Sequence, residues 1–214
     1  MSLSHEALIR IESVSRKAMK DLVRRWMLSK QTVKDREAFR KDVEHLLVLA
    51  RRNARLASYK TMMDELMSAV RMADGPEFVL KPRFRDVRKM QEQHAADMAA
   101  VLGQVTILRP GQLNVRADLS VTSVVAQAFN QEREELLSDI EDLDVENAWV
   151  PLIGKSWDAT LDAKTCEDCK SLDGTIVPIG LSFPDDQIPG EVHPRCRCIE
   201  VIVALPLPLR QKAA

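Results

Sequence analysis

The stretch that decides the fold lies near the end of the 214-residue chain and consists of two short sequences: TCEDCKSLDG at residues 165–174 and HPRCRC at residues 193–198. Cys166 and Cys169 have the Cys-x-x-Cys spacing of a turn that directs two thiolates at one centre. Cys196 and Cys198 lead into a β-rich sequence, and residues two apart on a strand share one face. Two such pairs predict a tetrahedral metal site, and sulfur ligands in this geometry favour zinc.

A further candidate ligand stands close to the second cysteine pair. His193 lies three residues before Cys196, so the ion can be held by the four cysteines or by three of them together with His193. Four protein ligands leave no coordination position for water, which predicts a structural site rather than a catalytic one. The region from about Trp149 to Val203 is also too short to bury a large apolar core, and a bound metal would supply stabilisation that the core lacks.

Disulfide bonds are the main alternative use of these cysteines. The first residues, Met1 to Arg10, lack the apolar centre of a signal peptide, so we expect the chain to stay in the cytosol, where thiols are kept reduced. No stretch approaches the ~20 apolar residues of a membrane span, and no membrane partner is expected. A redox-active Cys-x-x-Cys of the thioredoxin kind requires a surrounding βαβ pattern, which the sequence lacks. These observations favour metal binding over disulfides.

Residues near the cysteines are predicted to support the site. Trp149 and Trp157 are predicted to pack over the metal as a small apolar core. Arg195 and Arg197 flank Cys196 and offset the negative charge of bound thiolates. The remaining histidines are isolated in the sequence and are predicted to be ordinary surface or packing residues: His5, His45 and His94.

The chain before the cysteines is predicted to be helical. Aromatic residues make up only 4% of the chain and there are seven Gly, which favours helix over sheet. Apolar residues recurring at three- and four-residue steps predict helices at about residues 5–29, 32–73, 83–102 and 118–143. The second would be about 40 residues and ~60 Å long. Such a length predicts an extended arm or a helical hairpin with a kink near Ser58.

The C-terminal part has a different pattern, with turn residues every few positions. Short strands are predicted at about residues 148–153, 175–179 and 197–204. The predicted organisation is a helical N-terminal region, a connection, a C-terminal domain with the metal site, and an extended tail, at residues 1–103, 104–117, 118–204 and 205–214. The predicted fold class is therefore mainly α with a small α+β C-terminal module, in which long N-terminal helices precede a zinc-stapled, short-stranded knob.

The net charge of −1 conceals an asymmetry between the two halves of the chain. Residues 1–116 carry 23 Lys and Arg against 14 Asp and Glu, and residues 117–214 carry 8 against 18, so their net charges are +9 and −10. Opposite charges of this size predict that the halves attract each other, within one chain or between neighbouring chains. The basic half can also contact nucleic-acid phosphates without reading the base sequence.

The C-terminal residues resemble the signature of phage head morphogenesis proteins, the minor head proteins that include the Mu F-like group. The resemblance extends over residues 118–204 and rests on an ordered set of residues: Trp157, Ala159, Thr160, Asp162, Lys164, Thr165, Cys166, Cys169, Leu172, Asp173, Gly174, Pro189, His193, Pro194, Cys196, Arg197 and Cys198. In this family the preceding helix often carries an Arg-Thr-Glu run followed by Ala and Asn. The nearest match here is Val121-Thr122-Ser123, followed by Ala126, Ala128 and Asn130, so the charged residues of that run are missing.

The resemblance implies a structural minor head protein of a tailed phage or prophage. Such a protein acts in capsid assembly near the portal and in DNA packaging or delivery. Its implied partners are portal and capsid proteins, and it is expected to be an oligomer within the particle. Its implied location is the host cytoplasm during assembly and then the virion, in the capsid interior or the portal region.

Two other functions are compatible with the sequence. The first is a sequence-indifferent DNA-binding zinc protein, which the basic N-terminal half favours. The second is a virion-carried, metal-dependent enzyme, which requires an open coordination position at the metal. Because a closed shell of four protein ligands argues against such a position, the chain is predicted not to be an enzyme.

Overall fold

The computed structural model describes the following parts of the chain, to which all structural statements refer: residues 2–73, 110–142, 153–159, 165–193 and 196–206. In chain order the elements of these parts are α1 (Leu3–Leu28), α2 (Val33–Met72), α3 (Pro110–Asp142), β1 (Ile153–Asp158), α4 (Glu167–Leu172), β2 (Ile176–Pro178) and β3 (Ile199–Ala204). A 3-10 turn over Pro184–Asp186 lies between β2 and β3. The prediction of a mainly helical protein with a small α+β C-terminal module is confirmed. None of the described helices combines the length and the apolar character that crossing a membrane requires.

The first two helices each begin after a capping residue. Its side chain accepts a hydrogen bond from a backbone N–H group that would otherwise have no partner. Ser2 caps α1 by accepting the N–H of His5 at 3.2 Å. Thr32 and Asp35 form a reciprocal capping box at the start of α2, with N–H to side-chain distances of 3.2 Å and 2.9 Å. These caps define the boundary between the two predicted helices.

Helix α2 is continuous over 40 residues, so the predicted kink near Ser58 is wrong. The predicted extended arm is also wrong, because α2 packs against both α1 and α3 along its length. Small residues make this close packing possible. Ala50, Ala54 and Ser58 are all buried, and the Ser58 hydroxyl donates a hydrogen bond of 2.6 Å to the carbonyl of Phe129 on α3.

Helix α3 begins at Pro110, earlier than the predicted start near Asp118. Pro is well suited to the first position of a helix, because the N–H that it lacks would have no partner there. The predicted connection at residues 104–117 is therefore helical from residue 110 onward. The helix predicted over residues 83–102 lies outside the described residues, as do residues 207–214 of the predicted tail.

The three strands form one antiparallel sheet in the order β2-β1-β3. The strands predicted near residues 175–179 and 197–204 are confirmed as β2 and β3. Of the strand predicted at residues 148–153, only Ile153 lies within the described residues, and it is the first residue of β1, which runs from Ile153 to Asp158. Its sequence contains Gly-Lys-Ser, residue types with weak preference for strands, so propensity alone did not identify it.

Gly154 explains why a weak strand former occupies the central strand. A Cβ at this position would lie 2.5 Å from Cδ2 of Leu205 and 2.6 Å from the carbonyl oxygen of Val177. Both distances are too short for a side chain, so the glycine allows β2 and the residue after β3 to approach β1 closely. Leu205, the first residue of the predicted tail, is thereby buried against the sheet.

Three apolar clusters connect these elements. The first lies among α1, α2 and α3 and includes Ile199 of β3. The second joins the later parts of α2 and α3 to the C-terminal module through Ile153, Ile179 and Ile202. The third surrounds Trp157 and contains buried cysteines. The C-terminal module therefore rests on the long helices through the first two clusters and builds its own small core around the cysteines.

Ionic contacts between helices show that the oppositely charged halves attract each other within the chain. On α2, Arg55 is 4% exposed and donates to the carboxylates of Glu132 and Glu135 on α3. Arg51, one turn earlier, donates to the side-chain oxygen of Gln131 at 2.7 Å. These contacts place basic groups of α2 beside the acidic second half of α3. At this part of the interface, the ion pairs between the two halves lie within one chain.

The N-terminus is tied to the end of β1 by a buried histidine. Nδ1 of His5 lies 3.3 Å from a carboxylate oxygen of Asp158, and the Ser2 hydroxyl donates to the other oxygen. Burial alone would raise the pKa of Asp158, but the hydrogen bonds from His5 and Ser2 outweigh burial and lower it below its ordinary value. His5 is thus a fully buried packing residue rather than a surface residue.

Replacing Asp158 with Asn is expected to destabilise the fold in a pH-dependent manner. At pH 7 we expect a loss of about 1–3 kcal/mol, the usual contribution of hydrogen bonds to a charged group. Because the folded pKa lies below the unfolded value of about 3.9, this contribution is present above about pH 4 and is lost as the pH falls through the folded pKa. Urea unfolding of wild type and variant at several pH values measures the difference. A difference of equal size at pH 3 and pH 7 would contradict this assignment.

Candidate metal centre

The first pair of candidate ligands is positioned by the short helix α4. Cys166 is the N-cap residue, and its sulfur accepts the N–H of Cys169 at 3.3 Å. The carbonyl of Cys166 also accepts the N–H of Lys170 at 3.1 Å. The cap therefore orients both sulfurs of the Cys-x-x-Cys sequence toward the same side of the helix start, with Cys169 buried and Cys166 half-buried.

The second set of candidate ligands lies on the chain that leads into β3. The N–H of Cys196 donates to the carbonyl of His193 at 3.0 Å, which closes a turn between these two residues. Cys198 directly precedes β3 and is 2% exposed, as is Cys196. The turn and the strand together place His193, Cys196 and Cys198 beside α4.

The five predicted ligands come together in two overlapping groups. In one group Cys166, Cys169 and His193 have their ligand atoms within 4.8 Å of one another, and in the other Cys169, Cys196 and Cys198 do. Cys169 belongs to both groups, so it lies at the centre of the cluster. All four cysteines are free thiols, without a disulfide between them. The cluster can hold a metal ion, and each group brings three candidate ligand atoms together.

The crowding of the thiols separates their pKa values. Hydrogen bonding by Cys198 lowers the pKa of Cys196 to about 5, whereas burial raises the pKa of Cys169 to about 12. The pKa of the Cys198 thiol is also raised, chiefly because this thiol donates a hydrogen bond to the Cys196 sulfur. One thiolate thus forms readily while its neighbours remain protonated. A bound divalent cation would permit the others to ionise, so metal binding is expected to release protons.

The residues around the cysteines form a small supporting core. Trp157 is fully buried in the same cluster as Cys169, Cys196 and Cys198, and its ring packs edge-on against Phe183 with 5.2 Å between centroids. The predicted packing of Trp157 beside the metal ligands is thus confirmed. Trp149 and Arg195 lie outside the described residues.

The turn after α4 is fixed by an acidic residue and a glycine. The carboxylate of Asp173 accepts the N–H of Ala159 at 2.8 Å, which links the turn to the end of β1. Gly174 has a φ of 76°, a conformation that L side chains rarely adopt, and its N–H donates to the carbonyl of Trp157 at 2.8 Å. This turn therefore attaches the Cys-x-x-Cys helix to the central strand.

Asn130 on α3 supports the candidate metal centre, a role that the sequence analysis did not predict. Its side-chain amide donates to the carbonyls of Pro189 and Cys198, each at 3.1 Å. Gly190 lies against it, and a Cβ there would come within 2.1 Å of the Asn130 amide nitrogen. Asn130 is 6% exposed, so it holds Pro189 and Cys198, which enclose His193 and Cys196 in the chain, against the helix. The only signal in the sequence was its position in the helix of the family pattern.

The fold and the cluster together define a class of protein: a long-helix layer that carries a small cysteine-rich α+β module able to hold a metal ion. Comparison of the chain with models of protein families, with curated proteins and with solved structures found no match.

Proposed function

We propose that this chain is a structural minor head protein of a tailed phage or prophage, and that its C-terminal module is held together by one zinc ion. The observation that carries the proposal is the cluster of Cys166, Cys169, His193, Cys196 and Cys198. These residues are the centre of the sequence pattern that resembles the head morphogenesis family. Trp157, Asp173 and Gly174, which belong to the same pattern, form the cluster's supporting core and turn.

Distances within the cluster support zinc. Two thiolates bound at ~2.3 Å to a tetrahedral zinc lie ~3.8 Å apart, and a thiolate and an imidazole nitrogen lie ~3.6 Å apart. The Cys169 and Cys196 sulfurs are 3.7 Å apart, and the Cys169 sulfur is 3.5 Å from Nε2 of His193. Each distance corresponds to an edge of a zinc-centred tetrahedron, one in each of the two groups of candidate ligands. A donor set of cysteine sulfur and histidine nitrogen also suits zinc better than magnesium or calcium, which prefer oxygen.

The environment of the cluster favours a structural role. Cys169, Cys196 and Cys198 are each at most 2% exposed, and the cluster offers five potential donors for the four positions of a tetrahedral ion. A surplus donor leaves little opportunity for a catalytic water. We therefore propose that zinc fixes α4 to the chain before β3, and that the chain acts through the surfaces of its long helices rather than through a reaction.

Assembly with portal and capsid proteins tests the head-protein proposal. The full chain is coexpressed with the portal and major head proteins of the same genome, and the particles are separated by sedimentation. We expect a small number of copies to sediment with portal-containing particles and no copies to do so when the portal is omitted. A chain that remains a free monomer and binds neither protein would overturn the proposal.

Replacing Asn130 with Ala is expected to weaken zinc binding without unfolding the helices. The variant removes the hydrogen bonds to Pro189 and Cys198, which hold the chain around His193 and Cys196 on α3. Loss of such supporting contacts typically reduces metal affinity by about 10–100-fold. Competition with a chromophoric zinc chelator measures the affinity. Gln127→Ala, an exposed change one turn earlier on α3, is the matched control and is expected to bind zinc like wild type. Equal affinities for the two variants would show that Asn130 does not position the ligands.

A further inference from the structure

An open groove of about 590 Å³ is lined by seven residues of α1 together with Arg197. Four of the eight lining residues are cations: Arg16, Lys17, Lys20 and Arg197. Arg197 lies between two candidate metal ligands, Cys196 and Cys198. The groove therefore combines positive charge from the N-terminal helix with one positive charge that the metal centre positions.

The acidic residues of the groove leave a positive excess. Glu12 is 5% exposed, lies 3.3 Å from the guanidinium of Arg16, and accepts a hydrogen bond of 3.1 Å from the hydroxyl of Thr122 on α3. Its charge is thus compensated at the interface between α1 and α3. Asp21 is the second carboxylate of the lining, so the eight residues have a net charge of +2.

The cations extend along one exposed face of α1. Lys17, Lys20 and Arg24 recur at steps of three and four residues, which places them on the same side of the helix. All three are exposed. They cover about 10 Å of helix axis at 1.5 Å per residue. This is long enough to contact successive phosphates of a nucleic-acid strand, which are spaced about 3.4 Å apart along the axis of a duplex.

The lining favours phosphates over other acidic ligands. Among the eight lining residues Ile9 is the only apolar one, and none is aromatic. Protein partners are usually anchored by large apolar or aromatic side chains, and single-stranded nucleic acids by bases stacked on aromatic rings. Lysines and arginines alone suit the duplex backbone, which is bound through its charge without readout of the bases.

We propose that this groove binds the phosphate backbone of double-stranded DNA and that Arg197 couples this binding to the metal centre. When Cys196 and Cys198 bind the same ion, the backbone of Arg197 between them is fixed, and its guanidinium is held beside the lysines of α1. The coupling rests on the proposed zinc ion. The DNA site itself rests on the groove and is independent of the head-protein assignment.

The test uses the full, zinc-loaded chain and fluorescent duplexes of about 20 base pairs with two unrelated sequences, titrated at several salt concentrations. Lys17→Gln, Lys20→Gln and Arg197→Gln are each expected to weaken binding several-fold and equally on both duplexes. Each is expected to reduce the log–log salt slope by about one. Lys60→Gln removes the same charge from an exposed position of α2 outside the groove, and it is expected to leave both quantities unchanged. Removal of zinc is expected to weaken binding of wild type to the level of Arg197→Gln, with little further effect on that variant.

Three outcomes would overturn the inference. Absence of binding at low salt would exclude any DNA site. If Lys60→Gln weakens binding as much as the groove variants do, the DNA binds elsewhere on the surface. Displacement of the duplex by an acidic polypeptide at equal charge concentration would identify the groove as a site for an acidic protein partner. These results are distinguishable from failure of the other two proposals. The zinc proposal is tested by metal content, and the head-protein proposal is tested by sedimentation.

Discussion

Replacing Cys169 with Ser is expected to abolish zinc binding and to unfold the C-terminal module. Cys169 is the one residue common to both groups of candidate ligands, and it is 1% exposed. A Ser hydroxyl does not replace a thiolate as a zinc ligand, so neither group remains complete. Structural zinc sites contribute roughly 10 kcal/mol or more of apparent binding free energy, which is comparable to the whole stability of a typical domain. Hydrogen exchange is expected to show lost protection in β1, α4 and β3.

The adjacent Lys170 provides the control for this prediction. Lys170 is exposed on α4 and pairs only across the surface with Glu167, at 2.8 Å. Lys170→Ala is therefore expected to retain zinc and to melt within a few degrees of wild type. If Cys169→Ser melts like Lys170→Ala and retains its protection, the module does not depend on a metal. If Cys169→Ser instead loses zinc as expected, Cys166→Ser and His193→Ala identify the fourth ligand, because the donor that the ion uses is the one whose loss lowers the affinity.

Replacing Arg133 with Met is expected to lower the free energy of unfolding by about 3–5 kcal/mol, the usual cost of leaving one partner of a buried ion pair alone. Arg133 is fully buried and pairs with Glu65 of α2. It also donates to the hydroxyl of Ser4 on α1 at 3.0 Å, and Glu65 accepts the N–H of Ile202 on β3 at 3.1 Å. This network joins the three long helices to the sheet. Because Met retains much of the volume of Arg, the loss of stability measures the removal of the positive charge rather than the creation of a cavity.

A second variant separates the effect of the unpaired charge from the loss of packing. In Arg133→Met with Glu65→Gln, the carboxylate that Arg133 neutralised is itself neutral, and an amide oxygen can still accept the N–H of Ile202. We expect this double variant to recover part of the loss in chemical denaturation. Ser138→Ala, at an exposed position of α3, is expected to change stability by less than about 0.5 kcal/mol. A loss in Arg133→Met no larger than that of Ser138→Ala would contradict a stabilising role for the network.

The features that the sequence predicted correctly are those with a local periodic or spacing signal. Helices α1 and α2 follow from apolar residues at three- and four-residue steps, and β3 from a run of β-branched residues after Cys198. The clustering of the candidate ligands followed from two cysteine pairs and a nearby histidine. The helix periodicity, the strand and each cysteine pair are each visible within about ten residues, so a single sequence carries these signals.

The features that the sequence did not predict depend on contacts between distant residues. Nothing near Gly154 indicates a central strand, because that strand forms through the approach of Val177 and Leu205. Asn130 donates hydrogen bonds to Pro189, 59 residues later in the chain, and to Cys198, 68 residues later. The burial of His5 likewise depends on Asp158, 153 positions later in the sequence. Such pairings are set by how the helices and the sheet pack, which periodicity alone does not specify.

The metal content of the purified protein is the most direct test of the proposed structural zinc site. The full chain is purified without added metal, its metal content is measured, and the coordination shell is determined by X-ray absorption at the zinc edge. We expect about one zinc ion per chain, with four sulfur and nitrogen donors at ~2.0–2.3 Å and no bound water. Two results would contradict a structural zinc site: a protein that contains no metal, or an ion with an oxygen ligand that exchanges with solvent.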